Sequence, residues 1–131
     1  MKAYWDSSAL IETIDNADLR QRLKQEGGLT RSHSLAEIFS ALTGGNVRLR
    51  VGADQAAEML SKLADNLSFF DLAPADVLSA LKEAKARGVR GGRVHDFLHA
   101  VAAEKSGAKQ LLTLDRNDFA DLTDTVTVEQ V

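Results

Sequence analysis

Apolar and polar positions alternate in short blocks along the chain, and the period of each block predicts an element. Residues 3–6 form a short apolar run that reads as a strand ending at Asp6. Ser8–Ile14 starts a helix, and DLRQRLKQ (18–25) continues helical to Gly27-Gly28, a residue type that terminates helices well. Leu29–Ser32 is a further short strand. From Ser34 onward Leu35, Ile38, Phe39 and Leu42 recur at the spacing of one helix face, closed by Gly44-Gly45. A longer helix is expected from about Ala53 to Ala64, then a strand over LSFFDLA (67–73). Pro74, the chain's one proline, sits at a first-turn position ahead of the helix ADVLSALKEAKARG. After a Gly/Arg-rich loop come a helix over Val94–Lys105 stopped by Gly107 and a strand LLTL (111–114). A short helix after Asp115 and a final strand TVTVE (125–129) complete the chain.

Strands alternating with helices from end to end predict an α/β fold: three layers, with a central parallel sheet of about five strands covered by helices on both faces. At 131 residues the chain is expected to form one domain, 1–131, with a single core. In such sheets functional groups gather at the carboxyl ends of the strands. Asp6 and Asp115 are both expected at that edge.

Composition narrows the function classes only a little. A hydrophobic share of 44% and a charged share of 27% are those of a soluble globular protein. The absence of cysteine excludes disulfides and thiolate zinc sites. No run approaches the ~18 apolar residues of a membrane span. The amino terminus carries acids within its apolar part, so no signal peptide is expected and the default location is the cytoplasm. A net charge of −3 argues against a generic polyanion binder, but a metal site carries its own acids and so depresses the formal count.

The candidate chemistry lies in four acids near element ends: Asp6, Glu37, Asp96 and Asp115. Carboxylates repeated at such positions are what a hard-metal phosphoryl-transfer site needs. Each also has a local reading. Asp6 can be an N-cap, although Ser7 and Ser8 could each serve instead. Glu37 completes an S-x-x-E capping box with Ser34 and sits off the apolar stripe. Asp115 can cap the short helix after it, with Asp118 three residues on. Asp96 is harder to explain locally, because its helix is rich in apolar and small residues and a buried acid needs a partner or a metal. His95 and His99 have the H-x-x-x-H spacing that could hold zinc, with His33 as the one available third ligand. Arg87, Arg90 and Arg93 lie in the loop before the Asp96 helix and Arg116 follows Asp115. In a nuclease they would grip phosphate; otherwise they are solvated.

Together the segments YWDSSAL, AEIFSAL, HDFLHAVAAEKSGA and LLTLDRNDF resemble, in order and spacing, those of PIN-domain ribonucleases, most closely the short VapC-type toxins of bacterial toxin–antitoxin pairs. The resemblance covers nearly the whole chain. It implies Asp6, Glu37, Asp96 and Asp115 as metal-binding catalytic acids and Asp118 as an auxiliary acid. Ser7, Ser8 and Thr113 match polar positions around the site, with Ser7 where the family more often has Thr. Like charges in one pocket raise each other's pKa, so Mg²⁺ or Mn²⁺ is the natural counter-ion, and water-driven hydrolysis of RNA is the expected reaction. The resemblance further implies a VapB-type antitoxin that blocks the acids, and a homodimer or a higher toxin–antitoxin assembly. Two alternatives remain: an inactive PIN-like binding module, and a zinc hydrolase built on the His95/His99 helix.

Overall fold

The computed structural model describes residues 2–44 and 50–131. Gly45, half of the expected stop after the third helix, lies outside them. Five parallel strands form one sheet: β1 (Tyr4–Trp5), β2 (Gly28–Thr30), β3 (Leu67–Phe69), β4 (Gln110–Thr113) and β5 (Thr127–Gln130). Their order across the sheet is β3-β2-β1-β4-β5. The chain first winds outward from β1 to β2 and β3, then crosses to β4 and β5. The strand order therefore reverses between β1 and β4, which opens a crevice at their carboxyl ends.

Alternation of side chains along the strands divides the core into two layers. Tyr4 and Leu111, paired in register, point into one layer with α5 (Pro74–Glu83) and α6 (Arg93–Lys105). Trp5 and Leu112, the next pair, point into the other. That second layer is covered by α1 (Ser7–Glu12), α2 (Ala17–Glu26), α3 (His33–Gly44) and α4 (Ala53–Ala64). All four of these central side chains are at most 1% exposed, so both inner strands are apolar on both faces, as a covered parallel sheet requires. The three-layer α/β architecture follows directly. Among the described residues no helix is long and apolar enough to cross a membrane.

Several boundaries shift for identifiable reasons. β1 stops at Trp5 because Asp6 is already the N-cap of α1, its carboxylate accepting from the Ala9 amide at 2.8 Å. The strand expected over 67–73 is only three residues long. Asp71 leaves it to accept from the Ser32 amide and hydroxyl, both at 2.7 Å, which fastens the β2–α3 turn. Pro74 occupies the first turn of α5 as expected, and Asp76 accepts from the Ala73 amide at 3.2 Å. Asn16 caps α2 through the Leu19 amide, and Gly27 ends that helix at a positive φ of 69°.

Gly28 begins β2 because no larger residue fits there. A Cβ at that position would lie 2.8 Å from Trp5 Cδ1 and 2.9 Å from Leu23 Cδ1, both in the packed layer. Gly28→Ala should therefore cost about 1–3 kcal/mol by overpacking, read as a lowered urea midpoint at unchanged slope.

Candidate active site

At the crevice between β1 and β4 one pocket is lined by Asp6, Ser7, Glu37, Asp96, His99 and Asp118, with Ser8 and Ile11 at its edge. Asp6 is its deepest acid, 4% exposed. Oδ1 accepts from the Ala9 amide at 2.8 Å and from Ser8 Oγ at 2.7 Å, while Oδ2 accepts from Thr113 Oγ1 at 2.7 Å. Capping and site membership thus coexist in one residue. Ser8 also accepts from the Leu114 amide at 3.0 Å, tying the end of β4 to α1.

Glu37 is not part of a capping box. Ser34 is buried inside α3 and pairs with Thr30 Oγ1 at 2.7 Å, and the Glu37 carboxylate turns to other partners. Glu37 Oε1 accepts from Ser7 Oγ at 2.9 Å and meets His99 Nε2 at 2.9 Å. His99, fully buried, has its other nitrogen, Nδ1, 2.8 Å from the Tyr4 hydroxyl. Burial raises the Tyr4 pKa, so the phenol stays neutral. With Nδ1 turned to the phenol, the Nε2 proton is the one aimed at Glu37. Burial alone would raise the Glu37 pKa, but the hydrogen bond and charge of His99, with Ser7 and His33 behind them, lower it to about 2.

Asp96 is the opposite case. Burial first, then the carboxylates of Asp118 and Asp6, raise its pKa to about 6; His99 opposes the shift and Glu37 adds to it. Asp118 is also pushed up, by burial and by Asp115 and Asp6. Asp115 stands beside the pocket rather than in its lining. It is exposed and caps the 3-10 helix Arg116–Phe119, accepting from the Asn117 amide at 2.9 Å.

The arginines divide. Arg87 is bound to Asp124 Oδ2 at 2.6 Å and to the Asp121 carbonyl at 3.1 Å, and Arg93 donates to the Ala120 carbonyl. Both therefore brace the loop before β5, whereas Arg90 and Arg116 are exposed. The His95/His99 zinc arrangement is overturned. Both nitrogens of His99 are engaged by Tyr4 and Glu37, so that ring has no lone pair to offer a metal beside His95. What sequence reasoning missed is the role of His99 and Tyr4 in aiming Glu37. Only their apolar surroundings, which demand partners for any polar group, could have hinted at it.

These features define a class: an α/β domain with an oxygen-rich acidic pocket at the switch point of a parallel sheet. The sequence matches the PIN domain family over residues 3–124, and the chain belongs to that family. PIN domains are generally metal-dependent nucleases. Among solved structures, PAE2754 from Pyrobaculum aerophilum is similar at a TM-score of 0.68 and 21% identity, covering 98% of this chain and 89% of its own. That likeness supports the shared fold. No curated protein sequence matches the chain.

The donor set fits a hard divalent cation: oxygen ligands only, with two acids whose ionisation is disfavoured by their neighbours. The raised Asp96 pKa makes its own stability prediction. For a carboxyl group raised on folding, the stabilisation is complete below the unfolded pKa and is lost as pH climbs through the folded one. Between about pH 4 and pH 6 the metal-free protein should therefore lose stability. Asp96→Asn should recover about 1–2 kcal/mol at pH 7 in EDTA, discounted for the half-exposure of the group, and nothing at pH 3. Chemical denaturation at the two pH values checks it.

Proposed function

We propose that this protein is an endoribonuclease dependent on Mg²⁺ or Mn²⁺, and that it acts as the toxin of a toxin–antitoxin pair. The observation that carries the nuclease reading is the convergence of Asp6, Glu37, Asp96 and Asp118 on one pocket in a PIN domain. Asp6 is the fixed ligand, oriented by Thr113, Ser8 and the Ala9 amide. Glu37 is held as an anion by Ser7 and His99. Asp96, whose ionisation is opposed by burial and by its neighbouring carboxylates, is the acid that gains most from a cation beside it. When bound, a divalent ion supplies charge for the RNA phosphate and a more acidic water. Asp118, inside the pocket lining, is a stronger candidate for the fourth acid than Asp115. Arg90 and Arg116 are the arginines free to meet phosphate.

The toxin assignment rests on the resemblance of the motifs to VapC-type toxins. It implies a VapB-type antitoxin that occludes the acids with a basic side chain, a homodimer or larger complex, and action in the cytoplasm.

Asp6→Asn and Asp96→Asn should each lower metal-dependent RNA cleavage by ~100-fold or more while the fold persists, since Asn caps helices as well as Asp. Cleavage that survives both changes, or that continues in excess EDTA, would overturn the nuclease reading. Asp118→Asn should cost more activity than Asp115→Asn. For the toxin role, expression of the intact chain should arrest growth, expression of the Asp96→Asn chain should not, and co-expression of the product of an adjacent short reading frame should relieve the arrest.

A further inference from the structure

A second cleft shares Glu37 with the acidic pocket. It is lined by His33, Ala36, Glu37, Ser40 and His95. His33 and Glu37 are one helical turn apart on α3, and His95 comes from α6, so two helices deliver two imidazoles to one carboxylate. One donor atom from each of the three lies within 4.8 Å of the others, the only such trio of His, Asp or Glu among the described residues. The two rings stack with centroids 6.0 Å apart and planes 15° from parallel.

Neither imidazole is hydrogen-bonded to a described residue, and both are exposed. Glu37 is oriented from behind: both of its short hydrogen bonds, from Ser7 and with His99, fall on Oε1, leaving Oε2 available to an ion. A carboxylate positioned in this way by outer partners is how metal sites fix their ligands. Ala36 and Ser40 are small and leave the cleft open above the helix.

We infer that His33, Glu37 and His95 form a second metal site, sharing Glu37 with the acidic pocket but none of its other acids, that takes a borderline transition ion such as Zn²⁺ rather than Mg²⁺. Two imidazoles and one carboxylate are a donor set for Zn²⁺, Co²⁺ or Ni²⁺, whereas Mg²⁺ prefers oxygen throughout. Tetrahedral zinc with bonds of about 2.0–2.1 Å needs donors roughly 3.3 Å apart. Closing from 4.8 Å or less requires only side-chain rotation of the two exposed histidines. Three protein ligands leave a fourth position for water or a small anion. Because Glu37 belongs to both sites, an ion bound here draws on a residue of the acidic pocket.

The test is calorimetric titration of the whole protein with Zn²⁺ in excess Mg²⁺, supported by the visible absorption of bound Co²⁺. One equivalent should bind. His33→Ala and His95→Ala should each weaken it at least about 100-fold, since loss of a group that merely orients a ligand already costs ~10–100-fold. Glu37→Gln should weaken it as well, and Asp96→Asn should leave it unchanged. Both histidines are exposed, so these variants should keep the native circular dichroism spectrum. The inference fails if no Zn²⁺ binds, or if neither histidine change matters. It fails equally if Asp96→Asn abolishes binding, which puts the ion in the acidic pocket, or if Glu37→Gln has no effect, which reduces the site to a pair of surface imidazoles. Since only binding is read, these outcomes are independent of whether the protein cleaves RNA.

Discussion

A carboxylate buried at the end of the central strand is the constraint around which this molecule is organised. Asp6 has almost no access to water, so its oxygens must be satisfied by the protein. They are satisfied by the first turn of α1 through the Ala9 amide and Ser8, and by the last residue of β4 through Thr113. Those contacts join the two strands at which the sheet reverses its winding and fix where α1 begins. The same residue that starts a helix therefore holds the crevice in shape, and the other acids take their places relative to it.

A second chain of contacts runs from the inner face of the sheet to the pocket. Tyr4, on β1, meets His99 on α6; His99 meets Glu37 on α3; and Ser7 on α1 closes the group. Four elements thus contribute to the position of one carboxylate. The result is two acids on helices from opposite faces of the sheet with opposite tendencies, Glu37 favoured as an anion and Asp96 disfavoured. Partners that donate hydrogen bonds account for the first, and burial among like charges for the second.

Much of this architecture was legible in the sequence because it depends on local pattern. Short apolar runs marked the inner strands, and glycine and proline marked helix ends. The failures share a cause. The S-x-x-E pattern suggested a cap for Glu37 because a local motif cannot report a partner 62 positions away. The H-x-x-x-H spacing suggested a metal pair because nothing near His99 in sequence reveals that Tyr4, 95 positions away, occupies one of its nitrogens. The strand over 67–73 was too long because Asp71 is claimed by Ser32, on another element. Asp115 and Asp118 have similar local surroundings, and only the path of the 3-10 helix separates the capping acid from the one in the pocket.

The tethers of Arg87 and Arg93 bear on how much free charge the surface beside the pocket presents. With one guanidinium paired to Asp124 and the other turned to a backbone carbonyl, Arg87 before α6 and Arg93 at its first position are already engaged within the molecule. The charge this edge presents to solvent is therefore smaller than its three arginines suggest: Arg87 is neutralised by Asp124, and of the three Arg90 stands exposed and untethered.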